Sequence, residues 1–405
     1  MQALLEQVLA AREAGEACVL CTVVRLDGSG YGRPGARLFL SESGDRLGFI
    51  SGGCLEKDLC RRVWQATAAG PKLIAFDTMG NSVDVPRYNT GCEGVVYVFC
   101  QRIGDPEAGV IRRILNAYTN GNEIRLLTVY RSDTAEANAG DTFLIDVDGN
   151  LHHTMAAGVS GNRSATKRVT AAQVNAALIN KLQSAHGNGS LALRDSLGNV
   201  MEAAVEIISP PPRLVIFGAG DDVIPLASAS VALDWRVTVV GHRAELAHPL
   251  RFPGAEVLCG PVHEVARQLM DRKSHFSDRT DVVVMTHDFD RDVELMHVLL
   301  ESPVRSIGLL GPKRRLGRLV TRLHQQGRRI SDRDIDRIRS PLGLDIGAIS
   351  PAEIATSIVA ELIALSRVRQ GGFLHTRRQP LHPSIEHERL SSERLVADEA
   401  EAVVR

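Results

Sequence analysis

Apolar positions along this chain alternate between short β-branched runs closed by glycine turns and stretches with the 3.6-residue period of a buried helix face. Residues 1–15 show the helical period, and Cys18–Leu26 reads as a strand. Asp27–Gly35 is a glycine-rich loop, after which Ala36–Leu40 resumes as a strand. Phe49-Ile50 closes a further short strand, and Ser51–Glu56 is a turn that opens a helix reaching about Ala69. Lys72–Asp77 and Gly94–Cys100 are predicted strands, Ile111–Asn120 a helix, and strands resume from Glu123 to about Tyr130. The run Ser209-Pro210-Pro211-Pro212 cannot sit inside a helix or central strand and predicts a domain boundary.

Beyond it the pattern becomes regular. Strands Leu214–Phe217, Val237–Val240, Glu256–Leu258, Val282–Met285 and Ile307–Leu310 alternate with helices ending near Leu233, Arg272, Leu300 and Gln326. Apolar strands joined by helical crossovers predict a doubly wound parallel sheet. Ser350-Pro351-Ala352-Glu353 is a capping box for a last helix, which Gly371-Gly372 ends. The expected fold is therefore α/β: a mixed N-terminal domain over 1–208 and a Rossmann-like domain over 209–375. Residues 376–405 form a polar tail, expected to be disordered.

Composition narrows the function classes. The 405 residues carry a net charge of −1 and only 4% aromatics, which gives no electrostatic or stacking case for nucleic acid. No apolar run reaches membrane-spanning length, so no membrane insertion is expected and the cytoplasm is the expected compartment. Seven cysteines form an odd set, which argues against a disulfide scaffold. Cys18 and Cys21 match a CxxC spacing, but on a strand that spacing sends them to opposite faces, as buried small hydrophobes.

Chemistry concentrates in glycine-flanked loops. Ser51-Gly52-Gly53-Cys54-Leu55-Glu56 places a thiol behind two glycines at a helix start, where unpaired N–H groups stabilise a thiolate or phosphate. Asn89-Thr90-Gly91-Cys92-Glu93-Gly94 repeats the arrangement with Cys92. Arg33-Pro34-Gly35-Ala36-Arg37 sets two guanidiniums on a proline turn suited to an anion. In the second domain Gly218-Ala219-Gly220 follows a strand and opens a helix, as a phosphate-binding turn does. The third glycine position is Val223, Asp221 and Asp222 follow the turn, and no acid ends the second strand, which runs into Gly241-His242-Arg243. His287 lies at the carboxyl end of a later strand, placed to donate to a ligand or act as a base, with Asp288 or Asp290 as the alternative helix cap. Lys313, Arg314 and Arg315 follow a third strand–glycine turn.

Taken in order, these segments resemble the XdhC/CoxI family, the accessory factors of xanthine dehydrogenase and related molybdenum hydroxylases. The resemblance rests on Arg33–Ala36, Ser51–Glu56, Gly91–Gly94, Pro210–Gly220, Val284–Asp288, Ile307–Gly311 and Pro341–Ala348. It implies a chaperone without turnover of its own. Such a protein holds the molybdenum cofactor (molybdopterin) as cargo, cooperates with a cysteine desulfurase that makes its sulfido ligand, and delivers it to an apo molybdenum hydroxylase. Cys54 is then the expected metal ligand, with Ser51, Gly52, Gly53, Glu56, Cys92, Arg33, Arg37, Gly218, Gly220 and His287 around the cargo; no catalytic residue is implied. Two positions depart from the family pattern: Asp221 stands where histidine is usual and Gly241 where an acid is usual, so a nucleotide in the Rossmann domain stays open. An NAD(P)-dependent oxidoreductase using His287, or a non-catalytic scaffold with a ligand-free Rossmann domain, are the alternatives. A homodimer is left open.

Overall fold

The computed structural model describes residues 1–78, 94–134, 137–156, 179–180, 182–184, 187–194, 198–272, 275–378 and 388–390, with Cys54 described by its backbone. The chain divides into two compact units at Pro210/Pro211, within the proline run; residues 382–405 group with the first unit and Pro211–Leu381 form the second.

In the first unit, helix α1 (Gln2–Glu13) precedes strands β1 (Cys18–Gly28), β2 (Arg37–Ser41) and β3 (Arg46–Gly48). Helix α2 (Cys54–Ala66), strands β4 (Lys72–Asp77) and β5 (Gly94–Arg102) and helix α3 (Asp105–Asn120) follow. These strands make an antiparallel sheet in the order β3-β2-β1-β5-β4. Strands β6 (Ile124–Ser132), β7 (Thr142–Ile145), β8 (Leu151–Thr154), β9 (Gly189–Arg194) and β10 (Val200–Ile208) build a second sheet, ordered β9-β10-β6-β7-β8. Glu388–Leu390 of the predicted tail adds to its edge as a strand parallel to β9; it is β17 of the chain.

Alternation along β1 decides what each face of the first sheet covers. Val19, Cys21 and Val23 point into a core completed by Leu55, Leu59 and Val63 of α2. Cys18 points the other way, into a core formed with α1, α3 and the inner side of the second sheet. The CxxC spacing thus ends on opposite faces, as its strand setting predicts. Both thiols are buried: burial raises the Cys18 pKa to about 11, and a hydrogen bond with Cys100, followed by burial, raises that of Cys21.

The second unit is a parallel sheet ordered β13-β12-β11-β14-β15-β16, from β11 (Arg213–Phe217), β12 (Arg236–Gly241), β13 (Glu256–Cys259), β14 (Thr280–Val284), β15 (Ser306–Leu309) and β16 (Ile338–Arg339). Its helices are α4 (Val223–Ala232), α5 (Val262–Asp271), α6 (Phe289–Leu299), α7 (Lys313–Gln325), α8 (Asp332–Arg337) and α9 (Pro351–Ser366). Val223, Leu226, Ile358 and Leu362 of α4 and α9 cover one face, and Val265, Leu269, Met296 and Leu319 of α5, α6 and α7 the other. This is the doubly wound, Rossmann-like arrangement expected from the sequence. The order of connections reverses between β11 and β14, the position at which such sheets open a crevice.

Candidate functional site

Two strand–glycine–helix junctions carry the candidate chemistry, one in each unit. In the first, the connection from β3 to α2 holds Phe49–Gly53 in one fixed shape. The Glu56 carboxylate, itself buried, accepts the amides of Ile50 (2.9 Å), Ser51 (2.6 Å) and Gly53 (3.0 Å) and the Ser51 hydroxyl (2.5 Å). Ser51 Oγ in turn accepts the Leu55 amide at 3.2 Å, so the helix start is capped from both directions. Burial pushes the Glu56 pKa up, but the bonds from Ser51 and Ile50 outweigh it and hold the carboxyl below its ordinary value. Gly53, at φ 109°, is the helix N-cap, a backbone angle that only glycine adopts without strain. Among the described residues nothing lies within 4 Å of a Cβ added at Gly52 or Gly53, so none of them bars close approach to this backbone.

The loop between β1 and β2 is locked against this turn. A Cβ on Gly32 would fall 1.9 Å from the Ile50 carbonyl oxygen, so the two backbones touch where no side chain fits. Gly94, at the start of β5, approaches the same loop: its Cβ would lie 2.4 Å from the Ser29 carbonyl oxygen. Thr78 and Gly94 bond to one another across the ends of β4 and β5. Tyr31 and Phe49, which sequence reading passed over, stand exposed on these locked loops with ring centroids 6.1 Å apart.

The predicted site residues separate by role. Arg33 is exposed on the locked loop. Arg37 is buried: it donates to Glu206 Oε2 (2.8 Å) and to the Gly35 carbonyl (2.9 Å), so its guanidinium braces the loop across to β10. Ser51 and Glu56 are committed to the helix cap. Cys54 is the first residue of α2, at the helix start the sequence assigns it. Cys92 lies outside the described residues. A cavity of about 60 Å³ lies between the two sheets, with Leu5, Gln101, Ile111, Thr128 and the Arg37–Glu206 pair in its wall. It has room for only a few water molecules and not for a pterin.

In the second unit Gly218, at φ 140°, ends β11 against the neighbouring strand, and its Cβ would sit 2.3 Å from the Met285 carbonyl oxygen. Two carboxylates follow the turn. Asp221 pairs with Arg251 at 2.6 Å, and Arg251 also donates to the carbonyls of Ala219 and Leu246, both at 2.6 Å. Asp222 occupies the N-cap position of α4 but makes no cap bond; its Oδ2 takes His287 Nε2 at 2.9 Å. His287 itself has φ 58°, an uncommon setting for a non-glycine residue. Asp288, next along, caps α6 by accepting the amides of Asp290 and Arg291, one of the two caps the sequence offers.

The end of β12 differs from a dinucleotide site as its sequence suggests, and the reason is steric. A Cβ on Gly241 would lie 2.7 Å from Ala219 Cβ and 2.8 Å from Ala247 Cβ, so the place of a ribose-binding acid is closed. Beyond it His242 packs against Arg291, with burial first and then the charges of Arg291 and Arg243 lowering its pKa. Arg315 of the third turn donates to buried Asp292, which also takes the Thr286 hydroxyl at 2.5 Å, and is not free to meet a phosphate. Lys313 and Arg314 remain exposed. Among the described residues no group of three or more His, Cys, Asp or Glu side chains could hold a metal, and no helix is long and apolar enough to cross a membrane.

Comparison with known proteins agrees with this geometry. Residues 214–362 match the family described as the XdhC Rossmann domain, and residues 11–77 match the XdhC and CoxI family. A probable xanthine dehydrogenase subunit of Bacillus subtilis is 27% identical over 355 residues, 87% of this chain and 94% of that protein. An uncharacterized protein of Escherichia coli, YqeB, is 28% identical over 247 residues, 60% of this chain and 42% of its own. A crystal structure of a xanthine dehydrogenase from Bacillus halodurans superposes with a TM-score of 0.67 at 26% identity, covering 94% of this chain and 98% of that one. Motif order, a thiol junction on a mixed α/β unit, and a Rossmann unit together agree with these matches: the chain belongs to the XdhC and CoxI family.

Proposed function

We propose that this protein is an accessory factor of a xanthine dehydrogenase-type molybdenum hydroxylase, holding molybdenum cofactor as cargo, supporting its sulfuration with a cysteine desulfurase, and passing it to the apo-hydroxylase. Family membership and the xanthine dehydrogenase names of its relatives support the accessory role. The observation that carries the cargo site is the junction of the first unit, where two loops are locked together beside the backbone of Gly52 and Gly53, open ahead of Cys54. A soft metal centre favours a thiolate ligand, and a helix start lowers the cost of making one. Cys54 holds the metal transiently, while Arg33 meets the anionic part of the cargo beside the Gly52–Gly53 backbone. Ser51 and Glu56 act one step removed, by fixing the loop that presents the thiol. Cargo that must be released is better served by one or two thiols than by a closed four-ligand cage.

The test is cofactor retention. The purified protein is expected to bind molybdenum cofactor near stoichiometrically, and Cys54→Ala to lose most of that binding with an unchanged thermal transition. Equal retention by the variant would remove Cys54 from the mechanism.

A further inference from the structure

We infer that the crevice of the Rossmann unit is a proton-transfer site: His287, oriented by Asp222, acts as an acid–base group on an uncharged ligand bearing a hydroxyl or ring N–H, in the place where a related fold would seat a dinucleotide phosphate. Four observations converge there. Asp222 follows β11 and His287 follows β14, so their 2.9 Å bond spans the point at which the strand order reverses, where open α/β sheets bind their ligands. Asp222 stands at a helix N-cap yet leaves the helix amides and turns to the imidazole instead. His287 is held at φ 58° by pinned neighbours: Thr286 donates to the Asp288 carbonyl and to Asp292, and Asp288 caps α6. Strain kept in place from both sides is a mark of a functional position. Finally, the side chain is 64% exposed, and Nδ1 has no partner among the described residues.

The chemistry follows from the bond. An ionised carboxylate fixes the proton on Nε2, which leaves the Nδ1 lone pair free to accept one, and it then stabilises the imidazolium that forms. A phosphate fits poorly at the same place. Asp222 Oδ1 lies 2.5 Å from where a Cβ on Gly220 would be, over the backbone that would have to contact it, and the exposed Asp221 stands beside it. The charged groups around the imidazole are Asp222 and the Arg251-paired Asp221 from the β11–α4 turn. Asp288 and Arg291 belong to its own loop and helix, with Arg291 against His242 after β12.

The experiment uses the full chain and p-nitrophenyl acetate, an uncharged probe of activated imidazoles. Nδ1 draws a proton from water as the water oxygen bonds to the ester carbonyl. The bond to p-nitrophenolate then breaks, acetate and p-nitrophenolate leave, and the imidazolium returns its proton to solvent. Hydrolysis is expected to fall roughly tenfold or more in His287→Asn, a variant chosen because asparagine tolerates positive φ and keeps the turn. Asp222→Asn should cut the rate about threefold or more and Asp222→Glu should restore part of it, a pattern that a purely structural bond at an inaccessible ring would not produce in the rate. Wild-type hydrolysis in His287→Asn, or an unchanged rate in Asp222→Asn, overturns the assignment. So does micromolar binding of NAD+ or NADP+ by calorimetry, which would show that phosphates are accepted over the turn.

Discussion

The two junctions, Ile50–Glu56 in the first unit and Phe217–Val223 in the second, are built from the same parts and use them in opposite ways. Each runs from a strand through a glycine of positive φ into a helix, and each carries a carboxylate within the first residues after that glycine. Glu56 turns back on its own loop and satisfies three backbone amides there. Asp222 turns away from its helix to a histidine 65 residues further on. The first arrangement makes a rigid mount with open backbone; the second leaves a reactive group at the mouth of a crevice. An acid after a glycine turn therefore does not by itself announce a ligand site: its bonding partner decides whether it is a clamp or a participant.

Mutations can widen or erase that contrast. The largest effect is expected at the brace behind the first junction. Arg37→Met strands the buried Glu206 carboxylate and should cost about 3–5 kcal/mol in urea unfolding, whereas Arg37→Met with Glu206→Met should recover most of it. Next comes the clamp itself. Glu56→Ala orphans the amides of Ile50, Ser51 and Gly53 and should cost about 2–4 kcal/mol. Asp222→Asn, at a half-exposed pair, should change stability by less than about 1 kcal/mol; equal costs at Glu56 and Asp222 would leave no difference between clamp and participant. Gly241→Asp restores the acid usual in dinucleotide folds, but its Cβ would run into Ala219 and Ala247. It is expected to lose about 1–3 kcal/mol and to gain no NAD+ affinity, read by thermal melts and calorimetry.

The smallest effect is one of pH. Glu56 has a folded pKa below its ordinary value of 4.5, so it stabilises the folded loop fully above that value, and the contribution is lost as pH falls through the folded pKa. Exchange protection of the Ile50 and Ser51 amides, corrected for intrinsic rates, should drop in that acid window and stay level in Glu56→Gln.

Much of this was legible in the sequence because it is local. Strand and helix periods, the proline run and the glycine–helix junctions each reside in a few adjacent residues, and the doubly wound sheet follows from their alternation. The partners of charged groups were not legible. Arg37 reads as an anion-binding arginine on its turn, and only the packing of β10 supplies Glu206. By sequence Asp221 and Asp222 only follow the glycine turn; their pairing with Arg251 and His287 depends on strands brought together by the sheet order. Arg315 reads as one of three cations after the third glycine turn, yet it reaches back to α6. Even Gly241, a missing acid by sequence, has its reason in two alanine methyls from distant segments. Long-range electrostatic pairing leaves no periodic trace, and that is where reading ahead of the fold failed.

The contact of Gly32 with the Ile50 carbonyl has a kinetic meaning as well. Because no side chain separates the two loops, they pack backbone to backbone, and a swing of either one alone gives up that contact. For the proposed cargo, the ordering cost of the surface they share would fall during folding and not on association, leaving capture to encounter and desolvation. Release of that cargo would then fall to a rival holder.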